Sequence, residues 1–356
     1  MAKACPLLGT GLPATLLHKS DRRPGSSRAG PRDFIGANLS ASAAKGAYGH
    51  GVRRPRPEIE RALQLIVDKL AEPLTAADIA RAVGMSEFHF QRVFHESMAE
   101  SLGQFVTRKR LETAALRLAY EPAASLTSVA LSSGYSSSSN FSKAFSAFFG
   151  CSPTDVRRGG EVPAAVGKVT ARYGKSFRPA ELYTALEERS DETWQAQHWQ
   201  ERVRFEDSSG LHFACLASPE GYDLPALEAT WHELIVRGRQ LGLCHEDVDA
   251  WGMALDSPNL SAPDRCRYHA CIPCPVGTRL PEPLFARRLE PGRYAVFRYA
   301  GPVAGVAAAY RSVYSCWFRG SSVAPEDFTP LDHYVTDEPQ QGWTDMEMWF
   351  RVRPRE

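Results

Sequence analysis

The chain has no stretch of roughly 18 apolar residues, the length a membrane-crossing helix needs, so no transmembrane helix and no membrane partner is expected. Its first residues hold no continuous apolar core followed by a small-residue cleavage site, which argues against export and for a cytoplasmic protein. The 8 cysteines follow no framework spacing, so free thiols in a reducing compartment are expected. One CxxC is present, Cys271-Ile272-Pro273-Cys274, but no second pair accompanies it, and neither Cys266 nor Cys244-His245 completes a knuckle. There is no glycine-rich phosphate loop, no G-x-S-x-G and no H-E-x-x-H. These absences leave no expected metal, cofactor or catalytic residue.

Net charge is also nearly absent, at +1, yet it is unevenly placed. Residues 1–160 hold 21 Lys+Arg against 13 Asp+Glu, and residues 161–356 hold 21 against 28. The first part suits a polyanion; the acidic second part suits a cationic or neutral ligand better than an anionic one. At 356 residues the chain is long enough for two domains or more.

The main feature present is an internal repeat. Leu74-Thr75-Ala76-Ala77-Asp78-Ile79-Ala80, Val83-Gly84-Met85-Ser86 and Phe90-Gln91-Arg92-Val93-Phe94 form the first copy. Leu126-Thr127-Ser128-Val129-Ala130, Gly134-Tyr135-Ser136 and Phe141-Ser142-Lys143-Ala144-Phe145 form the second. In each copy a short apolar-periodic helix ends at a glycine, which turns left-handed at little cost. A serine follows and can cap a second helix. That helix carries apolar residues at i and i+4 with a cation between them, so one side packs inward and the other is left for a groove. A helix over residues 101–120 joins the copies, with Leu102, Phe105, Val106, Leu111, Ala114, Ala115 and Leu118 facing inward. It would span roughly 30 Å, close to the ~34 Å between successive major grooves on one face of a duplex. A helix with Ile59, Leu63, Ile66, Val67 and Leu70 on one side precedes the first copy, and Pro153 opens a short last helix.

These residues, with the bridge Phe105…Arg110…Ala114 and the tail Phe145…Gly150-Cys151-Ser152-Pro153, resemble the DNA-binding domain of the AraC/XylS family. Ala99 stands where that family usually has glycine, so this helix end should be less well capped. The resemblance implies double-stranded DNA as partner, with RNA polymerase admitted as a further one. It places Phe88, Gln91 and Arg92 toward bases; Arg suits guanine and Gln suits adenine. For Arg92 a phosphate contact stays open beside a base contact. The candidate DNA-binding set is Ser86, Phe88, Gln91, Arg92, Ser137, Asn140, Ser142 and Lys143, the second group weighted to phosphates because hydroxyls read bases poorly.

Residues 1–55, rich in Gly, Pro, Ser, Ala and Arg, read as a disordered extension, either a nucleic-acid tail or without role. The domain expected at 56–159 is all-α with two helix-turn-helix motifs. Residues 160–198 read as a linker with one short helix near 180–188. From Trp199 strands and helices alternate: 202–207, 211–217, helix 227–241, then 250–256, 267–273, 285–289, 294–299, helix 303–318, 331–335 and 346–352. The expected fold over 199–354 is α+β: two β-β-α-β-β-type halves, an antiparallel sheet, both helices on one face.

Arg267-Tyr268-His269-Ala270-Cys271-Ile272-Pro273, Gly292-Arg293-Tyr294-Ala295-Val296 with Tyr299-Ala300-Gly301-Pro302, and Asp345-Met346-Glu347-Met348-Trp349 resemble the GyrI-like effector-binding domain. The family's usual proline near the end of the last strand is Arg351 here. The resemblance implies a small, amphipathic or cationic ligand in a cleft between the halves. Glu347 takes the acidic position, and His269 the matching place in the first half. Trp231, Tyr310, Trp317, Tyr334 and Trp349 are candidate aromatic walls, with plain core packing open for each. A Glu347 facing solvent stays open too. The chain therefore reads as a DNA-binding transcriptional regulator that senses a ligand and is not an enzyme. The rival is a small-molecule hydrolase using Glu347 with Tyr310 or Tyr334.

Overall fold

The computed structural model describes residues 56–121, 123–158, 199–245, 248–256, 266–302, 305–335 and 343–355. The expected extension at 1–55 and linker at 160–198 lie outside them.

The helical region begins with α1 (Pro57–Asp68), opened by its proline and burying Ile59, Ala62, Leu63 and Ile66 completely. Thr75 caps α2 (Ala76–Ala82), accepting from the Asp78 amide. Gly84, at φ 76°, turns the chain into α3 (Glu87–Met98), which Ser86 caps at the His89 amide. Ala99 ends α3 in the left-handed conformation at φ 52°, the one non-glycine residue among those described to do so. A reciprocal capping box between Ser101 and Gln104 starts α4 (Leu102–Tyr120). The second copy repeats the plan. Ser125 caps α5 (Leu126–Ser132), Gly134 turns at φ 77°, Ser137 caps α6 (Ser138–Phe149), and Gly150 ends it at φ 74°. Helix α7 (Pro153–Arg158) closes the region.

Two separate cores result. Ile59, Leu63, Ile79, Phe90, Phe94 and Phe105 anchor the first. Leu111, Leu118, Val129, Phe141, Phe145 and Phe149 anchor the second. Helix α4 contributes to both, which makes it the rod expected from its length. Arg110 ties the copies together by donating to the carbonyls of Leu70 (2.7 Å), Glu72 (2.8 Å) and Gly134 (3.3 Å). A Cβ at Gly134 would sit 2.8 Å from the Arg110 Cζ, so this glycine serves close approach as well as the turn.

The second region is an antiparallel sheet. Its strands are β1 (Val203–Ser208), β2 (Leu211–Ala217), β3 (Ala250–Ala254), β4 (Tyr268–Pro273), β5 (Phe285–Leu289), β6 (Gly292–Pro302), β7 (Val323–Pro325), β8 (Leu331–Tyr334) and β9 (Trp343–Pro354). The order is β1-β6-β9-β8-β3-β4-β2-β5, and β7 pairs with β9 off this path. Helix α8 (Leu224–Gln240) covers β2 and β4; α9 (Val306–Ser312) covers β6 and β9. Both lie on one face, since Trp231 of α8 meets Tyr334, whose ring also packs into the α9 core. Two details depart from expectation. The helix expected over 303–318 changes to a π-helical turn at Val313–Trp317 before a last turn at Phe318–Gly320, and β7 is a strand the periodicity does not reveal at three residues.

Direct cross-strand partners share a face. Arg298, Glu347, His333, Trp251, Cys271, Cys215 and Phe285 therefore lie together on the face opposite the helices. The helical region docks there through α1, while α4 packs against Asp256 just after β3 and against the π-helical turn. Glu60 meets His269 at 3.0 Å and Arg287 at 3.5 Å, and Lys109 meets Asp256 at 2.9 Å. At the far end of α4, Tyr120 stacks on Tyr314 at 5.1 Å and Glu121 pairs with Arg353 at 2.7 Å.

Candidate DNA interface and ligand cleft

The outward sides of α3 and α6 remain open after docking. Phe88 is 81% exposed. Gln91 and Arg92 are exposed beside it, Gln91 donating to Glu87 at 3.1 Å and Arg92 lying 3.3 Å from His89 Nδ1. On α6, Asn140 and Lys143 are exposed and Ser142 is half-buried. Ser86 and Ser137 are occupied as helix caps, at 3.4 Å and 3.2 Å from their amides. Their hydroxyls shape the turn first, and any contact with a phosphate would come second.

The six expected ligand residues do not share one face. Trp317 packs on Phe297 and Phe318 in the α9 core and donates to Gln200. Tyr310 donates to Asp332, and Tyr334 exchanges a 3.0 Å bond with Tyr268 while facing Trp231. All four, Trp231, Tyr310, Trp317 and Tyr334, belong to the helix-bearing side. Glu347 and Trp349 lie on the other. The hydrolytic pairing of Glu347 with Tyr310 or Tyr334 is thus not assembled: the sheet stands between them. Burial also pushes both tyrosine hydroxyls well above the ordinary phenol range. The CxxC sulfurs diverge in the same way. Cys271 faces Cys215 on the side away from α8 and α9, while Cys274 packs toward α8.

Around Glu347 the structure gathers residues that pattern reading passed over. Its carboxylate accepts from Arg204 at 2.7 Å and from the Trp349 indole at 3.2 Å, and lies 3.4 Å from His333 Nδ1. His333 stacks flat on Trp251 at 4.2 Å, and its Nε2 lies 3.0 Å from Asp249. Trp349 meets Trp251 edge-on at 5.3 Å. Burial alone would raise the Glu347 carboxyl, but bonds from His333 and Arg204 hold it down at about 2. Burial likewise opposes charge on His333, and the carboxylates of Asp249 and Glu347 overcome it, placing the imidazole at about 9. So Glu347 is ionised and already matched by positive neighbours. Arg204, its side chain 41% exposed, is the partner a cation could push aside. The signal for His333 and Trp251 was the period-two alternation of β8 and β3, which puts them beside Glu347 only once strand order is known.

Two exposed reading helices on a common rod, joined to a sheet with an aromatic, carboxylate-bearing face, define a helix-turn-helix protein with an attached small-molecule domain. Residues 79–159 match the family described as a helix-turn-helix domain, and residues 203–353 match the GyrI-like small molecule binding domain. The chain is 35% identical over 85 residues to the probable transcription factor PqrA of Proteus vulgaris, covering 24% of this chain and 69% of that one. It is 34% identical over 99 residues to the putative HTH-type transcriptional regulator YkgA of Escherichia coli, covering 28% and 41%. It is 33% identical over 107 residues to the HTH-type transcriptional regulator ArgR of Pseudomonas aeruginosa, covering 29% and 32%. The match thus spans less than half the length of these last two. The chain belongs to the AraC-type helix-turn-helix family and carries a GyrI-like domain. Among the described residues no helix is long and apolar enough to cross a membrane.

Proposed function

We propose that the chain is a sequence-specific transcriptional regulator, divided into a DNA-binding part at 56–159 and a ligand-sensing part at 199–354. The observation that carries this reading is the exposure of Phe88, Gln91, Arg92, Asn140 and Lys143 while α1 and α4 are docked on the sheet. The DNA-facing sides stay free, and the docked sides connect them to a ligand domain. A small molecule that favours one arrangement of the two parts over another would change DNA binding by that difference in affinity. Residues Gln91 and Arg92 read bases; Asn140, Ser142 and Lys143 hold the backbone. RNA polymerase is a partner such a regulator meets at a promoter.

The ligand proposed for the Glu347 face is a flat apolar cation. Trp349 supplies ring area, and Glu347 supplies the charge, once Arg204 swings away from both. Genome-wide binding with the purified full-length chain tests the first part; enrichment no greater than for random DNA would defeat it. For the second, tetraphenylphosphonium should bind the chain more tightly than neutral triphenylphosphine oxide in calorimetry. Glu347→Gln should weaken the cation and spare the neutral compound; equal losses would remove the charge-matching role.

A further inference from the structure

Around Glu60 and Asp256 the contact between the two regions is built on charge, and none of the eight ionised side chains there is more than 11% exposed. The helical region brings Glu60, Glu100, Arg108, Lys109 and Glu112, an excess of one negative charge. The sheet region brings Asp256, Arg267 and Arg287, an excess of one positive charge. Asp256 is fully engaged, with Lys109 at 2.9 Å and Arg267 at 2.7 Å. Arg287 holds the remaining positive charge. Among the described residues Glu60 is the acidic group within ion-pair distance of it, at 3.5 Å.

Glu60 fills this place loosely. Its Oε2 reaches over, to His269 Nε2 at 3.0 Å and Arg287 Nη2 at 3.5 Å. That oxygen, both His269 nitrogens and Arg287 Nε all lack an aligned hydrogen-bond partner. A guanidinium prefers two parallel bonds to one carboxylate, and a buried group left half-satisfied is costly. The ring of Phe285 lies beside both residues, edge-on to His269 at 4.9 Å and 5.9 Å from the Arg287 Cζ.

We infer that His269, Arg287 and Phe285 form a carboxylate-binding site on the sheet region, occupied here by Glu60 of α1, and that an effector bearing a carboxylate on an aromatic body displaces Glu60. A free aromatic carboxylate can present both oxygens to Arg287 and lay its ring against Phe285, which the tethered side chain cannot. The site is distinct from Glu347, which lies on the same sheet face among different partners. Displacement releases the α1 end of the contact, while Tyr120–Tyr314 and Glu121–Arg353 keep the other end of α4 attached. The helical region then pivots rather than departs. That consequence for DNA rests on the regulator reading above; the site itself does not.

The test uses the full-length chain and sodium benzoate, with neutral benzamide as control. Glu60→Ala should unfold at lower temperature than wild type and regain most of the loss in millimolar benzoate, but not in benzamide. Adding Arg287→Ala should abolish the recovery. Equal effects of benzoate and benzamide, or recovery that survives Arg287→Ala, would overturn the site. Should Glu60→Ala fail to fold, Glu60→Gln keeps the volume and removes the charge. In hydrogen exchange, α1 of that variant should open at about tenfold lower benzoate than wild type, because a neutral amide competes less well for a guanidinium. Opening at the same concentration in both chains would overturn the proposal equally. Operator selectivity is measured separately, so its absence would count against the regulator reading and leave the benzoate comparison intact.

Discussion

The two helix-turn-helix copies agree inside and differ outside. Phe90 and Phe94 meet at 5.5 Å with their planes tilted by 54°; Phe141 and Phe145 meet at 5.4 Å and 60°. Their turn glycines stand at φ 76° and 77°, and a serine caps each recognition helix. Yet the outer side of α3 carries Phe88, Gln91 and Arg92, and that of α6 is mostly serine and asparagine. What the copies share is what each must bury and how each must turn, because packing and φ are tightly constrained. What differs is the surface that meets DNA, which folding leaves free to vary. Under the proposed function, base reading falls to the first copy, and the second serves as a backbone clamp at a fixed distance.

The largest effects test whether the copies are separate packing units. Phe94→Ala and Phe145→Ala each remove a ring with no exposed area and should cost ~3–5 kcal/mol in denaturant unfolding. Each loss should be local in hydrogen exchange. Phe94→Ala should unprotect α1–α3, and Phe145→Ala α5–α7, because α4 gives Phe105 to one core and Leu111 to Tyr120 to the other. Equal loss of protection throughout would make the helical region one cooperative unit and void the distinction. Next in size is recognition. Arg92→Ala should cost ~1–3 kcal/mol at one base step and relax preference there. Lys143→Ala should weaken all sequences alike and reduce the salt slope by about one. Competition binding that found the two variants alike would erase the division of labour.

Much of this was legible in the chain. Helix starts, glycine turns and the inward phenylalanines are local signals, since caps and i, i+4 pairs involve neighbours in sequence. The sheet strands other than β7 were legible too, because alternation along a strand is also local. The cleft was less so. Strand alternation says that Glu347 and Trp349 share a side, but not which side of the sheet Tyr310 or Tyr334 occupies. Arg204, His333, Trp251 and Asp249 reach Glu347 from sequence separations of 14 to 143 residues, which only strand order supplies. The docking of α1 was invisible altogether. Glu60 looks like an ordinary first-turn acid of a surface helix, the kind favoured by the helix dipole. Nothing local shows that it is 1% exposed against another region.

The smallest effect bears on the one place where the shared interior fails to match. Both recognition helices end in a left-handed residue whose amide returns to a carbonyl four residues back, Ala99 to His95 and Gly150 to Ser146, each at 2.9 Å. At φ 52° an alanine crowds its Cβ against its own carbonyl, a strain glycine at φ 74° does not have. Gly150→Ala should therefore destabilise the helical region by about 1 kcal/mol in thermal or denaturant unfolding. Ala99→Gly should stabilise it, though by only ~0.5 kcal/mol, because glycine also gains freedom in the unfolded chain. Opposite signs with the larger magnitude at position 150 would show that the copies obey one geometric rule and that the first merely tolerates a worse residue. A stabilising Gly150→Ala, or a destabilising Ala99→Gly, would mean that the two ends differ in conformation and not only in sequence.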